Sequence, residues 1–211
     1  MPDWRQPPYS AICRLLGPTS AGTGWFAAPR VVATAAHVLA SLQESPFVIV
    51  TAFGSVSPGG LHFTAYQLQG SGPGDSDDWG FVEIPAGLPL GCSVLKMCVP
   101  DTNYRGLCRV PAFDIAAPSA PLVEAFGQVS LVSAVRFLHT ADTRPAYSGA
   151  PVVIAAAPVG FAAIGVHTDS NRSRTALDGD PGGGTAASAR VYAIATSLTS
   201  SIQEQLGGAI R

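Results

Sequence analysis

Short runs of β-branched and aromatic residues, each cut off by glycine, proline or serine, constrain this chain more than any other feature. They include "RVVATAAHVL" (Arg30 to Leu39), "FVIVTAF", "HFTAYQL", "WGFVEI", "LVEAFGQVSLVSAVRFL", "APVVIAAA" and "FAAIGV". Many short strands with turn signals between them are the pattern of an all-β sandwich or barrel protein. The 23 glycines and 18 prolines among 211 residues break any long helical period. One stretch departs from this. In "AIATSLTSSIQEQLGGAI", Ile194, Leu198, Ile202 and Leu206 recur four apart, which predicts a C-terminal helix over about residues 193–206 stopped by Gly207 and Gly208.

Hydrophobic residues make up 47% of the chain and charged residues 12%, ample material for a core, and all-β domains often reach this length undivided. A proline-rich middle near Pro111–Pro121 separates two strand-rich parts. The expected organisation is one domain with a weak two-fold sense. The polar, glycine-rich stretch from Asp169 to Ala189 reads as a long mobile surface loop.

A formal net charge of −2, with 12 scattered basic residues, offers no footprint for nucleic acid and no attraction to a membrane surface. The N-terminus lacks a basic segment followed by an apolar one, and the expectation is a soluble cytoplasmic chain. Cys13, Cys92, Cys98 and Cys108 have no C-x-x-C spacing and no histidine cluster beside them. They are expected to be reduced thiols, with no metal site and no cofactor.

Three polar residues stand beside apolar strands in the order His, Asp, Ser. His37 follows the run "VVATAA", Asp78 precedes "WGFVEI", and Ser148 precedes "GAPVV". Each has a plain structural reading: a lone histidine is more often structural than catalytic, and Asp, Ser, Gly and Pro all favour turns. Together they supply a nucleophile, a base and a group to orient the base.

Four blocks in order, spanning about Ala21 to Ala195, resemble the chymotrypsin-like (trypsin-fold) serine endopeptidases. They are "GTGWFAAPRVVATAAHVL", "DWGFVEI", "AYSGAPVV" and "FAAIGVHTDS". The compact spacing is closer to glutamyl endopeptidases and other bacterial or viral members than to digestive trypsins. Val38 stands where secreted animal members have a disulfide cysteine, in keeping with an intracellular form. The resemblance implies two six-stranded antiparallel barrels, the first over about residues 10–105 and the second over about 120–195. It also implies a C-terminal helix after them, a peptide or protein substrate, and a cleft site between the barrels.

It also implies roles. His37 is the base for Ser148, Asp78 orients His37 with Asp77 as its rival, and the N–H groups of Ala146 and Ser148 form the oxyanion hole. Ala146 replaces the family's usual glycine, and Tyr147 replaces the aspartate that pairs with a new N-terminus in trypsin-like zymogens. Asp169 and Ser170 replace the glycines of the substrate-pairing rim.

For specificity, His167 on the pocket strand, the neighbouring Thr168, and Thr143 five before Ser148 match the glutamyl pattern. Cleavage is then expected after Glu or Gln, with an imidazolium at His167 favouring Glu below about pH 6.5. Asp142, six before Ser148, keeps a trypsin-like preference for Arg or Lys open. A catalytically silent peptide-binding module and the protease part of a larger effector, with a regulatory domain or partner protein, also stay open.

Overall fold

The computed structural model describes residues 2–63, 78–99, 101, 103–114, 120–131, 136–144, 146–156, 160–173 and 191–197. Strands dominate them. A 3-10 turn at Tyr9–Ala11 leads into β1 (Ile12–Leu16), β2 (Ala21–Ala28) and β3 (Val31–Thr34). The helix α1 (Ala36–Leu42) follows, then β4 (Val48–Thr51), β5 (Gly54–Val56), β6 (Leu61–Phe63) and β7 (Gly80–Glu83). These strands form one antiparallel sheet in the order β5-β4-β1-β2-β3-β7-β6.

The second lobe contains β8 (Leu107–Phe113), β9 (Leu122–Leu131), β10 (Arg136–His139), β11 (Pro151–Ala156), β12 (Gly160–Ser173) and β13 (Val191–Ser197). They close into a barrel in the order β10-β13-β12-β11-β8-β9. The all-β, two-barrel architecture is the one the sequence implies, with a seventh short strand in the first sheet.

Each lobe has its own apolar centre. Trp25, Phe26, Ile12, Leu15, Val32 and Ile49 fill the first; Val110, Phe137, Val152 and Ile164 fill the second. The two lobes also meet through apolar contact, since Phe113, Val153, Ala163 and Val166 of the second barrel pack into the first cluster. Helix α1 buries Ala36, Val38, Leu39 and Leu42 and has no side-chain cap at its start. It is too short to persist alone and is held by this packing.

The segment between the lobes is bonded on both sides. Leu95 N–H donates to the Phe26 carbonyl at 2.9 Å, while Cys98 N–H donates to the Ala163 carbonyl and Ala163 N–H to the Lys96 carbonyl, both at 2.8 Å.

Three sequence expectations change. The second barrel begins at Leu107, ahead of residue 120, because Pro111 sits inside β8 despite lacking an N–H. Asp169–Ser173, read as the start of a surface loop, continue β12 and pair with β13; the remainder of that stretch, 174–189, lies outside the described residues. The start of the expected C-terminal helix is strand β13, with Ala193–Thr196 paired to β10; residues 198–206 lie outside the described set. Here pairing on both sides overrides a helical period. A strand between β10 and β12 closes the barrel and satisfies two rows of backbone groups that would otherwise be edges. All four cysteines are free thiols, and burial pushes Cys108 up to about 12.

Candidate active site

The site begins with a strand register. β3 pairs β7 antiparallel, with Thr34 opposite Gly80. Continuing that pairing two residues past the strand ends brings Asp78 beside the first turn of α1, where His37 is the second residue. Both carboxylate oxygens of Asp78 are used there. Oδ1 accepts the His37 backbone N–H at 2.9 Å, and Oδ2 lies 2.7 Å from His37 Nδ1. The Asp78 side chain is 5% exposed and that of His37 28%. A buried carboxylate on Nδ1 fixes the ring orientation and leaves Nε2 as the ring nitrogen not engaged by Asp78. Asp77, the rival, lies outside the described residues.

Ser148 comes from the other lobe, on a turn tied to both barrels. Tyr147 N–H bonds to the Arg144 carbonyl at 3.1 Å and Ala150 N–H to the Tyr147 carbonyl at 2.9 Å. Gly149 N–H donates to the His167 carbonyl and His167 N–H to the Ala150 carbonyl, each at 2.8 Å. The Ser148 carbonyl accepts the Thr23 N–H at 3.0 Å.

Gly149 has φ +86°, and a Cβ there would run into Thr34 Oγ1 and the Thr23 carbonyl and lie 3.1 Å from Ala35 N. Only glycine suits this position. The close approach puts the serine turn against Thr34–Ala35, the residues that lead into His37. No hydrogen bond joins Ser148 and His37 among the described residues; catalytic contacts of this kind often tighten only with substrate bound. Ala146 has φ +73°, so it takes up the left-handed backbone that the family's glycine adopts freely.

The residues expected to set specificity are mostly buried. His167 is fully buried, Thr168 1% exposed and Thr143 4%. Asp142, by contrast, is exposed. The carboxylate that is buried beside the site is Asp78, 3% exposed.

Sequence reasoning missed His139. It sits on β10, fully buried, with Nε2 3.1 Å from His167 Nδ1 and the rings edge-on at 5.2 Å. Its only signal in the sequence is a histidine at the end of an apolar run; the partner is supplied by the fold. Burial lowers His139 to about 3. Burial first, then His139 and His37 nearby, hold His167 well below its ordinary range. The imidazolium expected just below pH 6.5 is thus disfavoured there, because a charge would be desolvated and would face two other imidazoles. Among the described residues no three metal-ligating side chains gather.

No protein-family model matches the sequence, and no curated protein matches it. Solved structures do match. A Glu endopeptidase is similar with TM-score 0.76 at 15% identity, over 99% of this chain and 94% of that one. A thermostable serine protease, AL20, from an extremophilic microorganism gives 0.67 at 16%, covering 95% and 96%. Kallikrein-related peptidase 10 in complex with zinc gives 0.67 at 14%, covering 96% of each chain. With its two antiparallel lobes, this chain has the fold of the chymotrypsin-like serine proteases.

Proposed function

We propose that this protein is a serine endopeptidase that cleaves peptide bonds through an acyl-enzyme. The observation that carries the reading is the two-point grip of Asp78 on His37, with the Ser148 turn packed against the entrance to the same helix. His37 takes the Ser148 proton as the hydroxyl attacks the scissile carbonyl and returns it to the leaving amine. Asp78 keeps the proton on Nδ1 and stabilises the imidazolium as it forms. The N–H groups of Ala146 and Ser148 receive the developing oxyanion.

In this reading the side chain before the cut reaches His167, Thr143 and Thr168, which are closed to solvent in the free chain and open to that side chain on binding. A neutral imidazole and two hydroxyls can hydrogen-bond a Gln amide or a Glu carboxyl, and they offer a Lys or Arg no counter-charge. The expected order is Gln and Glu above Leu and Arg, without a sharp change through pH 6.5. Comparing the four side chains in one constant peptide tests this. Dominant cleavage after Arg would return Asp142 to the pocket. Four free thiols suit a reducing compartment, which supports a cytoplasmic location.

The missing Ser148–His37 bond favours a second reading, a peptide-binding module without catalysis. A fluorophosphonate probe separates the two, since only an activated serine is labelled. Labelling and cleavage in the native chain, both lost in Ser148→Ala, are expected for the enzyme. An unlabelled native chain would leave the binding module.

A further inference from the structure

Thr23 lies on β2, fully buried, and its polar atoms are all engaged. Its backbone N–H holds the Ser148 carbonyl at 3.0 Å, and its carbonyl accepts the Thr34 hydroxyl at 2.7 Å. Its own hydroxyl donates to the Ala146 carbonyl at 3.2 Å and accepts Phe113 N–H at 3.3 Å. Three of these four bonds cross from the first lobe to the second, and two end on the serine turn.

We propose that Thr23 is a positioning residue for the oxyanion hole, its hydroxyl clamping the Ala146 carbonyl and so holding Ala146 in its left-handed backbone conformation. The inference rests on the enzymatic reading above and adds a residue to it. Alanine at φ +73° is disfavoured by roughly 1–2 kcal/mol against its usual conformations, so something has to hold it there. The Ala146 carbonyl belongs to the peptide plane that follows that φ. Pinning it to a β-branched side chain, itself stiff at χ1, blocks rotation of the plane.

The two N–H groups of the hole bracket this arrangement. That of Ala146 shares its Cα with the pinned plane. That of Ser148 belongs to the plane lying between the clamped carbonyls of Ala146 and Ser148. Thr23 therefore supports both donors without touching substrate.

The test compares Thr23→Val, which keeps shape and backbone but lacks the hydroxyl, with Thr23→Ser, which retains it. Two readouts are taken: steady-state kinetics on a cleaved peptide, and the Ala146 Cα and Cβ shifts in ¹³C-alanine-labelled protein, assigned by their disappearance in Ala146→Gly. Thr23→Val should lower kcat about 10–100-fold, since small misplacements and weakened oxyanion donors cost this much, with KM within about twofold. Its Ala146 shifts should leave the left-handed range. Thr23→Ser should keep both properties.

Adding Ala146→Gly to Thr23→Val should recover kcat at least about fivefold, because glycine holds that backbone unaided. Should valine prevent folding, Thr23→Cys, a weak donor at the same place, should lie between serine and valine: a smaller loss of kcat than that expected of valine, and Ala146 shifts moved part of the way out of the left-handed range. Native Ala146 shifts in Thr23→Val or in the cysteine variant, or equal losses in Ser and Val, would overturn the clamp. A native chain that neither cleaves nor labels would instead overturn the enzymatic reading, while the shifts would still decide the clamp.

Discussion

The two lobes hold their contributions to the site in different ways. In the first, His37 and Asp78 are joined by direct bonds within one lobe, set by the β3–β7 register. In the second, the Ser148 turn depends on the other lobe, through Thr23 and the tight seat of Gly149 against Thr34. The acid–base pair can be complete once the first lobe has folded. The nucleophile turn is complete only when the lobes have docked. Damage to the first lobe's pair should therefore cost chemistry, and damage to the seam should cost both chemistry and stability.

The largest effect belongs to the pair. Asp78→Asn should leave the fold intact and lower kcat by about 10⁴, because an amide favours the wrong His37 tautomer. Asp77→Asn should change it little. Equal effects in the two variants would reopen the choice between the carboxylates.

At the seam, Gly149→Ala should lower stability by about 3–4 kcal/mol, combining overpacking with a left-handed residue, and should abolish labelling of Ser148. A denaturant titration alongside a fluorophosphonate assay checks both. Loss of activity without loss of stability would mean that the turn is seated independently of the first lobe.

Acid should separate the lobes further. His139 and His167 are buried and neutral in the second barrel, with folded pKa values below the unfolded value near 6.5. Below pH 6.5 the unfolded chain binds protons that the fold excludes. Their contribution is thus complete above pH 6.5 and falls as pH drops below it, for His139 towards 3, at up to about 1.4 kcal/mol per pH unit for each ring. His139→Asn should reduce the slope of stability between pH 6.5 and 5 by about one proton, as measured by denaturant midpoints. An unchanged slope would show that the ring titrates alike in both states.

The smallest effect is expected from reductant. With four free thiols, dithiothreitol should move the melting temperature by about 1 °C or less, whereas losing a disulfide typically costs about 2–5 kcal/mol. A large drop would reveal a bridge that forms in solution.

The sequence was most legible where local pattern and final environment agree. "VVATAAH" and "DWGFVE" show their strands by composition, and their polar ends sit where the pairing brings them together. Residues 193–197 carry the opening of a helical period at Ile194, while the place between β10 and β12 demands a strand. β8 was passed over because Pro111 resembles a linker, yet the barrel tolerates it. His139 acquires meaning only from a ring 28 positions away. Thr23 looks like filler between two glycines until the second lobe's carbonyls arrive.

The doubly bonded linker has a consequence for how the cleft can move. Leu95 is tied to Phe26, and Lys96 and Cys98 are tied to Ala163, so the strip joining the lobes is part of both and not a free hinge. Swinging the lobes apart would break those bonds together. Substrate entry is then a matter of side chains and surface loops, with the lobes fixed. Amide hydrogen exchange at Leu95 and Cys98 would be a built-in gauge of this, since both N–H groups should open only with the separation of the two halves.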